Sequence, residues 1–299
     1  MFTKNQETLR LIVRTREDFQ KIRKSINNRL GLKNVKMAGK KDDKRLIYDL
    51  QDTPDIGVRG FEEQDQINLA QLSLKAMIDE KTAEHMLTGI LKRFKVYNDF
   101  LNTEKALGCA DIASGWMLSE FDIEIATNVS KMNQFAGVNP DLIRGKKSVK
   151  EKEYKKTMGD IIGDLPEMRD GVKRVMVLTN EFVRGDKATP GFLLPYNKNL
   201  KRVLMGILAS NMIKAQGPYV QNFYYPYKAR LANSDKEVLH NKKMVAWKDV
   251  SDGHRDFAAR RYMIKKFLVD FHIAWRTSEN LSIREPYPVE YLGKKHHQL

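Results

Sequence analysis

The spacing of apolar residues predicts helices along most of the chain. From residue 5 to about residue 30, apolar side chains recur at the three- and four-residue intervals of one helix face. A second, proline-free stretch from Asp65 to about Phe100 indicates one or two helices that are long enough for a coiled coil. We expect this stretch to pair with another helix, either within the chain or across a dimer. The face of the first helix consists of Phe19, Ile22, Ile26 and Leu30.

Helical spacing is also found in the second half of the chain. Residues 196–216 and 252–280 each predict a long amphipathic helix. Residues 160–185 are rich in apolar side chains and favour a buried helix over a strand. A basic run at residues 144–156 predicts a loop followed by the start of a helix, and the polar residues 233–253 predict a loop.

We therefore predict a mainly α fold with two parts. Residues 1–100 would contain a basic N-terminal helix, a connector over residues 31–60 and the coiled-coil helices. Residues 101–299 would form a helical domain built around a helix-hairpin-helix. An extended tail would end the chain, because Pro286 and Pro288 restrict the backbone there.

The segment from Leu101 to Pro140 predicts a helix, a tight turn, a second helix, a loop and a short third helix. Gly108 can end the first helix in a left-handed conformation at little steric cost. Asp111 can cap the second helix or lie in its first turn, near the positive end of the helix dipole. The third helix would begin at Ser130 and close at Gly137.

Two helices around such a turn would form a helix-hairpin-helix. If the backbone N–H groups of the turn face solvent, they can donate hydrogen bonds to a phosphate without reading any base. The alternative is an ordinary helical hairpin in a protein core, since glycine turns between helices are common.

The sequence GCADIASGWMLSEF, followed by VSKMNQFAGVNP, resembles the C-terminal domain of the RNA-guided insertion-sequence transposases. That family joins a RuvC-like DEDD domain to a coiled coil and a helix-hairpin-helix domain. The chain departs from the family pattern at Cys109, Ala110 and Asp111. The matching residues are Gly108, Glu120, Lys131, Phe135, Ala136, Gly137, Val138 and Pro140.

The resemblance covers residues 65 to 280 and omits the RuvC-like half. No stretch before Leu101 resembles the apolar strand with an aspartate that opens such a nuclease, whose carboxylates hold two metal ions. In the family, a serine–glycine pair follows the Gly-x-x-Pro sequence, and this chain has Arg144-Gly145 in its place. Ser148 is the local candidate for a nucleophile, which Lys146 and Lys147 could assist with positive charge. The alternative is an exposed serine in a basic loop.

The charge balance favours a polyanionic partner. The chain has 53 lysines and arginines against 38 acidic residues, a formal net charge of +15. Such an excess suggests nucleic acid, although a solubilising surface is the alternative. The candidate nucleic-acid-binding residues are Gly108, Lys131, Arg144, Lys146, Lys147, Lys150, Lys198, Lys201, Arg202, Tyr225, Lys228, Arg230, Arg261 and Lys265.

Two further patterns bear on binding. The segment GPYVQNFYYPYKARL alternates aromatic and basic residues, which suits stacking on unpaired bases, although aromatic residues are often core residues. On the last helix Arg261, Lys265, His272 and Arg276 would form a positive flank. The histidines, including His240 and His254, are isolated in the sequence and show no metal-ligand spacing.

The remaining features predict a cytoplasmic protein. The chain has one cysteine, no visible signal peptide and no apolar run of about 18 residues. We expect no cofactor, no metal, no membrane and no small-molecule substrate.

The preferred hypothesis is a nucleic-acid-binding protein, with structured RNA favoured over DNA. We expect it to form a homo-oligomer, with a dimer as the first candidate. The alternatives are a recombinase or nuclease subunit that uses Ser148, and a helical self-assembling scaffold.

Overall fold

The structure is a computed structural model that describes residues 3–29, 63–166, 171–240 and 243–284. The fold is mainly helical, which confirms the predicted class. The chain forms two compact units, Lys4–Leu91 and Lys92–Leu299, and Met1–Thr3 belongs to the second. We call them the hairpin unit and the C-terminal unit. The predicted connector at 31–60 and the prolines of the predicted tail lie outside the described residues.

The hairpin unit consists of two long helices, α1 (Lys4–Arg29) and α2 (Glu63–Leu91). They run antiparallel, because partners later in α1 lie earlier in α2. Arg16 lies 2.6 Å from the Glu80 carboxylate and 2.9 Å from that of Glu84, and Ser73 of α2 donates a hydrogen bond to Asn27 near the end of α1. The predicted helix pairing therefore occurs within the chain.

The prediction of which residues form the apolar face of α1 was partly wrong. Ile26 is buried and packs with Ala70 and Leu69 of α2, but Ile22 is exposed. The buried residues on the first half of α1 are Leu9, Ile12 and Val13, which the prediction did not include. Arg23 lies 2.8 Å from Glu80, so two arginines of the basic helix are engaged by one acidic side chain of α2.

In the C-terminal unit, the segment before Gly108 is less regular than predicted. A π-helical turn at Tyr97–Leu101 and a 3-10 turn at Glu104–Ala106 take the place of the helix that was predicted to end at Gly108. Two helices follow, α3 (Asp111–Glu120) and α4 (Val129–Phe135). Asn128 caps α4, because its Oδ1 accepts the Lys131 N–H at 3.1 Å, so this helix begins one residue before the predicted start.

A three-stranded antiparallel sheet occupies a region that was predicted as loop and helix. Its strands are β1 (Leu142–Lys150), β2 (Asp160–Leu165) and β3 (Arg174–Arg184), in the order β1-β3-β2. The predicted buried helix over residues 160–185 is therefore wrong. In β3 the buried residues Val175, Val177 and Thr179 alternate with partly exposed neighbours, which is the two-residue period of a strand. The register shifts between Arg144 and Lys146 and again between Ile161 and Gly163.

The remaining elements are a helical series and a hairpin. A helical stretch predicted at 196–216 is confirmed as α5 (Lys198–Arg202), a π-helical section at Val203–Leu208 and α6 (Ala209–Ala215). A further π-helical turn, Val220–Tyr224, leads into α7 (Tyr225–Ala232). The predicted polar loop instead contains an antiparallel hairpin of β4 (Glu237–His240) and β5 (Lys243–Ala246). The last described helix is α8 (Asp252–Ser278).

Helix α8 lies at the centre of the C-terminal unit. Phe267 and Phe271 are fully buried, with ring centroids 6.2 Å apart, and Phe271 also lies 5.2 Å from Trp275. Phe100 and Tyr219 contact the Phe267 ring from other elements, at 5.7 and 5.4 Å. The predicted apolar face is confirmed for Ile264, Leu268, Phe271 and Trp275, whereas Phe257 is exposed.

The C-terminal half of α8 does not present the predicted positive flank. Both His272 and Arg276 are buried. Arg276 donates hydrogen bonds to the backbone carbonyls of Ile123 at 2.7 Å and Ser282 at 2.6 Å. A ring nitrogen of His272 lies 2.8 Å from the Ala126 carbonyl. These side chains therefore tie α8 to the loop before α4.

We expect Arg276→Met to lower the free energy of unfolding by about 3 kcal/mol, since it leaves several carbonyls without a charged donor. Denaturant unfolding measures this loss. The matched control is Arg93→Met, because Arg93 is exposed in the turn after α2. An equal effect of both changes would contradict the structural role of Arg276.

Burial lowers the pKa of His272, and the nearby charge of Arg276 lowers it further, against the opposing hydrogen bond to Ala126. The unfolded chain therefore binds a proton on this residue at a higher pH than the folded chain does. We expect stability to fall as the pH drops below about 6.5, by up to about 1.4 kcal/mol per pH unit. Denaturant unfolding between about pH 7.5 and about pH 5 measures this loss.

His272→Gln should reduce that pH dependence in the acidic range. The pKa of His254 is lowered in the same direction, so His254→Gln is the comparison that separates the two contributions. An unchanged pH profile in His272→Gln would refute the assignment.

Candidate functional site

The end of β3 directs a carboxylate into the C-terminal unit. Gly185 donates its backbone N–H to the Asp141 carbonyl at 2.9 Å. A Cβ atom on Gly185 would lie 3.0 Å from the Asn139 carbonyl oxygen, so a larger residue would crowd this contact. The close backbone contact fixes the next residue, Asp186, which is buried at 2% exposure.

Asp186 holds cationic side chains from three elements. Arg184 of β3 forms a two-pronged pair with it, Nε to Oδ1 at 2.9 Å and a terminal nitrogen to Oδ2 at 3.1 Å. Arg261 of α8 lies 3.2 Å from Oδ2. Lys201 of α5 donates to the Asp186 backbone carbonyl. Arg184, Asp186, Lys187, Lys201 and Arg261 are hereafter called the Asp186 cluster.

Lys201 lies among three other cationic side chains and one carboxylate. Burial lowers the pKa of Lys201, and the charges of Arg261, Arg184 and Lys187 lower it further against the opposing pull of Asp186. Lys187 is exposed, so its ammonium group adds to the field from the solvent side.

The pKa values of two neighbouring side chains, Lys265 and His254, are also lowered. Burial lowers the pKa of Lys265, with Asp141 opposing and Arg261 adding to the shift. Its Nζ atom lies 3.4 Å from Asn139 Oδ1. Burial also lowers the pKa of His254, and His240 contributes together with the cluster cations. The rings of His240 and His254 lie 4.8 Å apart, so these histidines are not isolated as predicted, because the β4–β5 hairpin folds onto α8.

Strand pairing separates two faces of the three-stranded sheet. Directly paired residues share a face, so Arg144 and its partner Phe182 lie on the same side, and so do Lys146 and Leu178. This side is exposed along β1, and we call it the outward face. It carries Arg144, Lys146, Ser148 and Lys150 from β1, and Arg174, Phe182 and Arg184 from β3.

Lys147 lies on the other face, contrary to the prediction of one basic surface. Its ammonium group lies 4.4 Å from the centre of the Phe192 ring and pairs with Glu181. Phe192 belongs to the loop after β3 and contacts Gly145, where a Cβ atom would clash with the ring. This side of the sheet is therefore partly covered.

Ser148 occupies the outward face between Lys146 and Lys150, in a strand and not in the predicted loop. It is exposed and directly paired with Met176. In the part of the chain that the structure describes, no acidic or histidine side chain forms a hydrogen bond with its Oγ. Ser148 therefore has the positively charged neighbours that the nucleophile hypothesis requires. It has no base among the described residues that would activate its hydroxyl group.

The turn at Gly108 is packed against α6. With φ of 95°, Gly108 has the predicted left-handed conformation. A Cβ atom there would lie 2.6 Å from the Met212 Cα. The backbone N–H groups of Cys109 and Ala110 donate to the carbonyls of Ala106 and Gly108, at 2.8 and 3.1 Å. The turn is partly exposed, but these two N–H groups are already bonded within it, so the structure does not support the placement of Gly108 at a phosphate-binding surface.

The aromatic–basic segment is mainly structural. Tyr219 is buried and donates to Asp270 at 2.6 Å, and Tyr224 is buried and donates to Asp256. Tyr227 stacks on Tyr262 with centroids 4.2 Å apart. Of the predicted stacking residues, Tyr225 is exposed, and its hydroxyl group forms hydrogen bonds with Gln216.

The other predicted binding residues are dispersed. Lys228 pairs with Asp252 at 2.9 Å, and Arg230 lies over the Tyr227 ring at 4.7 Å. Lys131 donates to the Ile125 carbonyl at 3.3 Å. Lys198 and Arg202 are exposed on α5. The structure brings together Lys201, Arg261 and Lys265, whereas Arg144 is bonded to Thr179 and Asn180 of β3.

Sequence analysis missed Arg184, Asp186 and Lys187. The available signal was the stretch Arg184-Gly185-Asp186-Lys187 directly after a valine-rich run. Among the described residues, no group of His, Cys, Asp and Glu could hold a metal ion. Likewise, no described helix has the length and apolar character that crossing a membrane requires.

The chain was compared with protein-family models, with curated proteins and with solved structures, and none of them matches it.

We expect Asp186→Asn to lower the free energy of unfolding by about 2 kcal/mol, because it removes the carboxylate between Arg184 and Arg261 while both guanidinium groups stay partly solvated. Added salt should recover part of the loss by screening the repulsion that remains. Denaturant unfolding at low and high salt measures both effects.

The control is Asp235→Asn, which breaks the exposed ion pair with Lys248 and should change stability little. If Asp186→Asn were equally mild, Asp186 would not be organising the cluster.

Proposed function

We propose that the protein binds nucleic acid, mainly through phosphates, and that structured RNA is its principal ligand. The observation that carries the proposal is the Asp186 cluster with Lys265. Five cationic side chains of the described chain lie in this neighbourhood, and two carboxylates lie among them: Asp186, which pairs with Arg184 and Arg261, and Asp141, which acts on Lys265. Such an excess of positive charge is stabilised by a polyanion.

The geometry supports phosphate binding in a second respect. Arg184 is held by Asp186 and Arg144 is held by the Thr179 carbonyl at 3.0 Å, so both guanidinium groups have defined positions before a ligand arrives. Preorganised side chains lose less conformational entropy on binding. Lys146 and Lys187 are exposed and extend the positive surface along β1 and beyond the end of β3. Lys150 is exposed as well and pairs with Glu153 at 2.9 Å.

We further propose that the chain is related to the insertion-sequence transposases. The support is the sequence resemblance between Gly108 and Pro140, together with a helical arrangement in which α3 and α4 follow a glycine turn. Structured RNA is favoured because the resembled family binds a guide RNA. Strand-transfer chemistry is not part of the proposal, because it would need a base for Ser148 or a set of carboxylates.

The direct test of binding is to isolate the protein from its host after cross-linking and to sequence the RNA and DNA that accompany it. Enrichment of particular structured RNAs over total cellular RNA supports the proposal. Recovery of neither nucleic acid above a mock isolation overturns it, and recovery of DNA alone overturns the preference for RNA.

We expect the binding constant for a structured RNA to fall steeply with salt, with a slope in log–log form of about 0.7–0.9 per neutralised phosphate. Replacing Lys146, Lys150 and Lys187 together by glutamine should weaken binding and reduce this slope by about 2. Fluorescence anisotropy across a salt series measures both quantities.

The matched control replaces three exposed lysines on other elements, Lys92, Lys95 and Lys214, and so removes the same formal charge. It should keep most of the slope. Equal losses in the two variants would mean that net charge alone, and not this surface, attracts the ligand.

A further inference from the structure

An aromatic side chain stands exposed in the middle of the outward face. Phe182 of β3 is 65% exposed. Leaving a phenylalanine in water forgoes the favourable free energy of burying its ring. Single exposed apolar residues are common on protein surfaces, so exposure alone carries no argument. The surroundings of this ring are what distinguish it.

Cationic groups flank the ring along and across the strands. Arg144 is the direct cross-strand partner of Phe182, and Arg184 follows two residues later on the same face of β3. Directly paired side chains are neighbours, and residues two apart on one strand are about 7 Å apart. The outward face therefore places an exposed aromatic residue next to two arginines.

Both guanidinium groups are fixed by protein contacts on one side. Arg144 donates to the Thr179 carbonyl and to Asn180 Oδ1, each at 3.0 Å, and lies 3.9 Å from the exposed carboxylate of Asp160, while its side chain is still 39% exposed. Arg184 is bound to Asp186 and is 41% exposed. Two partly exposed arginines thus neighbour the ring, and Arg184 also belongs to the Asp186 cluster.

The strand register accounts for this arrangement. Between the pairs Arg144–Phe182 and Lys146–Leu178, Gly145 alone lies opposite Thr179, Asn180 and Glu181. The extra residues of β3 supply the carbonyl and amide that hold Arg144. The bulge therefore fixes the guanidinium group of Arg144, while the strand register sets Arg144 opposite Phe182.

We propose that Phe182 is a stacking platform for an unpaired base of single-stranded RNA, with the phosphates on either side of that base bound by Arg144 and Arg184. This inference rests on the proposed nucleic-acid binding and names the part of the ligand that it recognises. A base inside a duplex has both faces covered by its neighbours, whereas an unpaired base offers a face to an aromatic side chain. A positive rim suits RNA and disfavours a cationic or neutral partner.

The platform makes a specific prediction about duplex and single strands. Base–aromatic stacking contributes about 1–3 kcal/mol, which corresponds to a change in affinity of about 5- to 150-fold. Phe182→Leu keeps an apolar side chain but removes the ring, so it should weaken binding to a single-stranded RNA of about 12 nucleotides by at least 5-fold. Binding to a duplex RNA of the same length should stay within 2-fold, and Phe182→Tyr should retain wild-type affinity.

The experiment measures anisotropy of labelled single-stranded RNA, duplex RNA and single-stranded DNA with the full chain. The matched control is Leu239→Ala, since Leu239 is 61% exposed on a strand of the β4–β5 hairpin. Thermal unfolding of each variant should equal that of the wild type, because the changed side chains are exposed. A fluorescent base analogue within the single-stranded RNA reports stacking directly, as quenching with wild type and Phe182→Tyr but not with Phe182→Leu.

The outcomes separate the two proposals. If wild type binds single-stranded RNA and Phe182→Leu binds it equally well, the stacking platform is refuted and phosphate binding stands. If Phe182→Leu weakens single-stranded and duplex RNA alike, the ring contributes no selectivity and the inference fails. Tighter binding of DNA than RNA overturns the choice of RNA, and absence of wild-type binding to every nucleic acid overturns the proposed function itself.

Discussion

The arrangement of the C-terminal unit depends on the ion pairs of one buried carboxylate. Asp186 connects the end of β3 to α8 through Arg184 and Arg261, and its backbone carbonyl binds Lys201 of α5. A buried carboxylate is costly unless it is paired, and here the pairing joins elements that are far apart in the sequence. Because the cations outnumber the acids, the interaction that stabilises the fold also leaves a positive surface.

The same arrangement explains which basic residues take part in the surface and which do not. Arg16 and Arg23 of the hairpin unit are engaged by Glu80, and Lys228 by Asp252, so their charges are largely neutralised locally. Arg276 is buried and binds carbonyls. The formal net charge of +15 is thus a poor guide to where a polyanion would bind. Where a polyanion would bind depends on which basic residues have an acidic partner nearby.

The long helices could be predicted because periodicity over many residues is a strong signal, as in α8, where Ile264, Leu268, Phe271 and Trp275 are buried as expected. The β-sheet could not, since a short valine-rich run suits a buried strand and a buried helix equally well. The roles of His272 and Arg276 could not be predicted either. Helical spacing assigns a polar residue to one face of the helix but does not show whether a backbone carbonyl lies within hydrogen-bond distance of it. Asp186 was missed since its partners are contributed by β3, α5 and α8.

The edges of the three-stranded sheet have a consequence for self-association. Along β1, the Leu193 N–H donates to the Lys146 carbonyl at 2.6 Å, so a loop occupies part of that edge. Along β2, the irregularity near Gly163 and the exposed carboxylates of Asp160 and Asp164 interrupt the opposite edge. Irregular, charged or covered edges disfavour the addition of a further strand. The two edges of this sheet therefore disfavour its extension by a strand from a second copy of the chain.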